Sequence, residues 1–225
     1  MIDLTPLPEH IQRAQAVYAR LLEAFGLPDW GVPAPPLDEL VNTILSQNTN
    51  DRNRDMAFQR LRKRYPTWEE VRDASLAEVI ACVRPAGLGN QKAARIQEVL
   101  RQISTERGSL DLAFLRDLPD REALAWLTRF KGVGPKTAAI VLVFSLGKPA
   151  FPVDTHVFRV SGRIGLRPEG INVEQAHVYL SGVFRPEQYG PGHLNLIRLG
   201  REICHARKPD CPACPLNEIC LSAFR

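Results

Sequence analysis

The 225-residue sequence predicts an all-α fold. Three observations carry that expectation: apolar residues recur at spacings of three and four along most of the chain, strand-like alternation is nearly absent, and Gly/Pro turns punctuate the periodic runs. Ile11, Ala14, Val17, Tyr18, Leu21, Leu22 and Phe25 share one face and open the series. Helices are next expected over 37–47, 52–65 and 76–83, the last with Ser75 and Glu78 in a capping-box pattern. Two more follow over 91–104 and 121–130, with Asp120 placed to cap the second. The run 135–146 contains Ala138, Ala139, Ile140, Val141, Leu142, Val143 and Phe144 and lacks a polar face, so it belongs between layers. Helices over 155–164, 173–184 and 193–204 complete the reading, with 28–36 and 166–171 irregular. Trp30, Trp68 and Trp126 read as packing residues, and Cys82 as a buried small hydrophobe.

Composition narrows the function classes. With 44% hydrophobic and 24% charged residues, the chain has enough apolar material for one core or two, and disorder is not expected. Lys and Arg number 29 against 25 Asp and Glu, a net charge of +4 that suits a polyanionic partner without demanding one. No apolar stretch approaches the roughly 20 residues of a membrane helix. The proline-containing, acidic N-terminus lacks a secretory pattern, so a cytoplasmic protein is expected.

The segment Phe130-Lys131-Gly132-Val133-Gly134-Pro135-Lys136-Thr137-Ala138 sets two glycines in a tight turn between helices, with Pro135 suited to the first helical position. Backbone N–H groups at Gly132, Val133 and Gly134 can there approach a phosphate. A P-loop fits less well, because Pro135 separates the glycine from the lysine and a helix precedes the turn. Lys136 is either a solvated surface lysine or an amine whose pKa the helix dipole depresses, ready to attack a sugar C1′. Asp154, in Pro152-Val153-Asp154-Thr155-His156, sits where an N-cap opens the next helix. It can also stabilise a cationic sugar and take protons, and the two roles are compatible. His156 reads as a helix-surface or core histidine.

Four of the five cysteines, Cys204, Cys211, Cys214 and Cys220, follow the pattern C-x6-C-x2-C-x5-C between stiffening prolines. In a reducing compartment this is a metal site, and four thiolates suit zinc or a [4Fe–4S] cluster equally. Arg207 and Lys208, between the first two cysteines, would form a basic loop suited to DNA phosphate.

Together, Gly132-Val133-Gly134-Pro135-Lys136-Thr137-Ala138, Val153-Asp154-Thr155-His156-Val157-Phe158-Arg159-Val160, Gly200-Arg201 and the ordered cysteines resemble the endonuclease III branch of the helix-hairpin-helix DNA glycosylases. The resemblance runs from about Asp38 to the end. It implies a bifunctional DNA glycosylase and abasic-site lyase of base excision repair, acting on oxidised pyrimidines such as thymine glycol. Lys136 matches the Schiff-base lysine, Asp154 the essential aspartate, and the four cysteines the [4Fe–4S] ligands, which favours iron over zinc. Gly132 and Gly134 match the phosphate-gripping hairpin. Leu88, in Gly87-Leu88-Gly89, looks like the wedge that fills the gap behind a flipped base. Direct alignment from Ser46 puts Asn48 where the family offers a glutamine to the orphaned base, with Gln47 beside it. The implied architecture is a helical barrel over 29–148 and a cluster domain from 1–28 plus 149–225, with a DNA-binding cleft between. The implied partner is double-stranded DNA with damaged bases or abasic sites, bound by a nucleoid-associated monomer.

Two other readings remain. A monofunctional glycosylase of the same superfamily would share the cluster and aspartate, but lysine at 136 argues against it. A non-catalytic DNA-binding iron–sulfur sensor would have no use for Lys136 together with Asp154, and would bind DNA irrespective of damage.

Overall fold

A computed structural model of the chain describes residues 4–223, which contain helices and turns and no strand. They divide into two compact units, one from Met1–Val32 with Pro149–Arg225, the other Pro33–Lys148. No helix among the described residues is long and apolar enough to cross a membrane.

In chain order the helices are α1 (Pro8–Phe25), α2 (Pro36–Ser46), α3 (Asp51–Arg64), α4 (Trp68–Asp73), α5 (Leu76–Val83), α6 (Gly89–Arg107), α7 (Asp120–Thr128), α8 (Pro135–Ile140), α9 (Thr155–Ile164), α10 (Val173–Val183) and α11 (Tyr189–Glu202). The central unit holds α2 to α8. Leu40, Val41, Ile44 and Leu45 of α2 are buried beside Ile96, Leu100 and Ile103 of α6, Ala138 to Ile140 of α8 and the following Val141 and Leu142. In the other unit, Tyr179 of α10 lies at the core, its hydroxyl 2.6 Å from His10 Nδ1 and accepting the Leu7 amide at 3.0 Å. Phe151 stacks on Phe184 at 4.8 Å, and α11 passes so near α9 that a Cβ on Gly200 would sit 3.0 Å from that of His156.

Several expectations need correction. Asp120 does not cap α7: Pro119 is the N-cap, and Asp120, one residue inside, pairs with Lys148 at 3.0 Å. Ser75 caps α5 by accepting the Glu78 amide, and the Glu78 carboxylate accepts from the Ser75 hydroxyl and Arg64. Reciprocal boxes form at Thr67/Glu70 and Asn172/Gln175. The apolar run after Pro135 is helical throughout, yet it widens to a π turn over Val141–Ser145. Trp68 is buried and donates to Asp38 at 2.7 Å, and Trp126 packs edge-on against Phe114 and Phe130. Trp30 is 44% exposed, and Cys82 is only half-buried.

Candidate functional site

In the central unit, the glycine hairpin joins α7 to α8. Gly132 has φ +82°, in the left-handed region, and a Cβ there would collide with the Arg95 guanidinium. Gly134 is different: its φ is −86°, it is exposed, and a Cβ on it would meet nothing within 4 Å. Its face is therefore open to a large ligand. Val133 turns inward at 2% exposure, and its amide closes the turn on the Phe130 carbonyl at 3.0 Å. Neither its side chain nor its N–H is turned outward.

The hairpin is tied to a second turn. Gln47, which ends α2, donates from Nε2 to the Gly132 carbonyl at 3.1 Å and accepts from Arg95 Nη1 at 3.2 Å. The Gln47 side chain is thus committed inside the unit, while the next residue, Asn48, is exposed with φ +53°. Leu88 is 50% exposed with φ +50° and is the N-cap of α6. Asn48, Leu88 and Lys208 are the non-glycine residues with positive φ among those described. A left-handed backbone costs a residue with a Cβ roughly 1–2 kcal/mol and is associated with functional positions.

Lys136 is half-buried in the first turn of α8. Glu39 of α2 lies within reach of its charge: burial holds the Glu39 carboxyl above the usual range, while a Thr43 hydroxyl bond at 3.1 Å and the charges of Arg54 and Lys136 act against that rise. In the other unit, Asp154 is the N-cap of α9, with Oδ1 accepting the Val157 amide at 2.7 Å. Oδ2 is not used in the cap. His156 meets Arg159 Nη2 at 3.2 Å and is a helix-face residue, as expected.

The cysteine segment is pinned from several helices. Arg159 of α9 donates to the Cys204 carbonyl at 3.0 Å and the Gly200 carbonyl at 2.8 Å. Arg163, one turn on, reaches Cys204 Sγ at 3.4 Å, the His205 carbonyl at 2.6 Å and the Ala206 carbonyl at 2.9 Å. Its own carbonyl accepts from Cys220 Sγ at 3.4 Å, so one residue touches both ends of the four-cysteine stretch. Arg13 of α1 donates to the Ile219 carbonyl at 2.6 Å, and Arg207 and Lys208 stand exposed on the loop between. Burial pushes the Cys214 and Cys220 thiols above their ordinary value, and charge on the neighbouring cysteines pushes the same way. Four cysteine sulfurs on one short segment are the donor set that an iron–sulfur group takes. No three Cys, His, Asp or Glu side chains among the described residues converge tightly enough to grip a single ion, so the nature of the group rests on other grounds.

Three important side chains escaped the sequence reading. Lys92 lies on the same stripe as Ile96, Val99 and Ile103, and a lysine on an apolar stripe was the signal available for it. His156, Arg159 and Arg163 share one face of α9 at helical spacing, which marks the two arginines as facing a common neighbour.

Residues 41–186 match the family model of the HhH-GPD superfamily base excision DNA repair proteins, and residues 204–220 that of the iron–sulfur binding domain of endonuclease III. An endonuclease III from Thermotoga maritima is 34% identical over 185 residues, 82% of each chain. A putative DNA glycosylase of Arabidopsis thaliana is 40% identical over 145 residues, 64% of this chain; that match takes in half (50%) of the plant protein. Two solved endonuclease III–DNA complexes, one non-covalent and one a trapped covalent intermediate with an estranged adenine, each align at TM-score 0.81 and 28% identity, over 95% of this chain and 96% of theirs. The chain accordingly carries a [4Fe–4S] cluster, and it belongs to the HhH-GPD superfamily of base excision DNA repair proteins, as an endonuclease III-like member.

Proposed function

We propose that the protein is a bifunctional DNA glycosylase and abasic-site lyase that removes oxidised pyrimidines, thymine glycol among them, and cuts the strand 3′ to the lesion. The observation that carries this reading is Lys136 in the first turn of α8, directly behind a glycine hairpin whose Gly134 face is open. A glycosylase that only hydrolyses the base has no need of an amine there. The covalent endonuclease III–DNA intermediate among the structural relatives supports the same chemistry.

The Lys136 amine, neutral when it reacts, attacks C1′ as the N-glycosidic bond breaks and the base departs. Opening of the sugar gives an imine between Nζ and C1′. Loss of a proton from C2′ then expels the 3′ phosphate oxygen by β-elimination, and water releases the lysine. Asp154 supplies negative charge to the cationic sugar and moves protons, while its Oδ1 keeps α9 capped. The Gly132 and Gly134 amides grip a phosphate, and the exposed Arg207 and Lys208 add charge to the backbone contact. Leu88 wedges into the gap left by the flipped nucleotide, and Asn48 faces the orphaned base. Gln47, committed to Gly132 and Arg95, serves as a brace. When bound, the [4Fe–4S] cluster supplies a staple that neutralises four thiolates. In domain terms, 29–148 is the barrel carrying the hairpin, and 1–28 with 149–225 is the cluster domain.

The test is product analysis on a duplex with one thymine glycol, without alkali. Strand breaks ending in an unsaturated aldehyde support the reading. Breaks that appear only after alkali would make the enzyme monofunctional, and damage-independent binding without base loss would make it a sensor.

A further inference from the structure

Lys92 is 2% exposed, and among the described residues no carboxylate bonds it. Its ammonium instead donates to two main-chain carbonyls, Leu45 and Ala86, each at 2.7 Å. Both carbonyls stand where a helix runs out. Leu45 lies in the last turn of α2, which carries no basic residue of its own, and Ala86 closes the short 3-10 turn Arg84–Ala86. Terminal carbonyls lack an intrahelical donor and sit at the negative end of the dipole, so a buried cation is well matched to them. The main chain adds a third tie, because the Lys92 amide donates to the Leu88 carbonyl at 3.0 Å.

The position of those carbonyls gives the arrangement its meaning. Three residues past Leu45 is Asn48, and two past Ala86 is Leu88, both exposed and both left-handed. An unpaired buried cation is expensive: burial lowers the Lys92 pKa, and a side chain of similar length without charge fills such a space at less cost. Arg95, one turn further along α6, extends the reach of the same helix through Gln47 to the Gly132 carbonyl.

We propose that Lys92 is a positioning residue that locks the turn bearing Leu88 to the turn bearing Asn48, so that the two side chains enter a duplex as one rigid pair. This rests on the gap-filling roles given to Leu88 and Asn48 above. Its action is on recognition of a duplex with a vacated position, before any covalent step.

The experiment uses the full chain with its cluster and a duplex carrying a tetrahydrofuran abasic analogue opposite 2-aminopurine, whose fluorescence rises as it unstacks. Wild-type binding should raise the signal, and Leu88→Ala and Asn48→Ala should each reduce it. Lys92→Met should reduce it as much as the two combined and weaken binding to this duplex about tenfold. Cluster absorbance and affinity for undamaged duplex should stay unchanged. Lys92→Gln, which keeps an N–H donor, should recover part of the loss, and it carries the comparison if the Met variant does not fold. Adding Leu88→Ala to Lys92→Met should cost little more than Lys92→Met alone. A wild-type signal from Lys92→Met, with Leu88→Ala and Asn48→Ala impaired, would overturn the proposal while leaving the gap-filling reading standing. Equal weakening toward damaged and undamaged duplex would overturn it too, as general damage to the fold. A full signal from both Leu88→Ala and Asn48→Ala would bring down the gap-filling reading, and this proposal with it.

Discussion

The hairpin region around Gly132 and the cysteine loop after α11 are held in shape by opposite means. Around the hairpin, every tie is protein to protein: Gln47 and Lys92 bond backbone carbonyls, and Arg95 donates to the Gln47 side chain, from helices whose apolar faces are already buried. The cysteine segment has almost no core, since Leu216 is the fully buried residue between 203 and 223. Arg13, Arg159 and Arg163 hold its backbone from outside, and four coupled thiols stand within. Packing alone suffices where large apolar faces meet, and a short segment without them needs a metal staple.

Removing the cluster should break this comparison most visibly. Amide exchange over 203–223 should accelerate by orders of magnitude, with 36–46 and 135–145 staying protected, as followed by mass spectrometry. Joint loss of protection would mean that the staple also supports the packed region.

Asp154→Asn is expected to slow base release by roughly 10²–10³-fold, since the charge facing the sugar is gone. Because Asn caps helices as well as Asp does, the melting temperature should hold, whereas Asp154→Ala should also cost about 1 kcal/mol of stability. If both variants lose stability and keep the rate of their folded fraction, Asp154 is only a cap.

The two hairpin glycines sharpen the contrast further. Gly132→Ala must accommodate a left-handed Cβ and displace Arg95, at about 1–2 kcal/mol, with weaker DNA binding to follow. Gly134→Ala should change stability by less than about 0.5 kcal/mol, as the space around it is empty. Any loss of affinity it shows then reports backbone approach to phosphate directly, and unaltered affinity would argue against that approach.

Most helices were legible because side chains write their faces and caps locally. Asn50, Thr155 and Asn172 sit at boundaries that a cap or the start of an apolar period announces. α4 was missed because six residues are too few for a period, although Thr67 and Glu70 spelled out its start. The π turn at Val141–Ser145 left no trace, since the apolar run is uniform across it. At the candidate site, the glycines, Lys136, Asp154 and the cysteines were legible as motifs. Lys92, Arg95 and Arg163 were not: Lys92 bonds backbone carbonyls 6 and 47 residues away, Arg163 carbonyls 42 and 43 residues away, and Arg95 a glutamine side chain 48 residues away, which only folding brings near. Likewise, the commitment of Gln47, which leaves Asn48 as the outward residue, depends on where Gly132 ends up.

The central claim, an amine nucleophile at Lys136, is most directly tested by borohydride trapping of the protein on a thymine glycol duplex, beside undamaged duplex and the Lys136→Gln variant. A covalent adduct should form only with damaged DNA and native lysine, while the variant still binds DNA and keeps its cluster. An adduct that persists in Lys136→Gln, or none from the native protein although the base is released, would contradict the account.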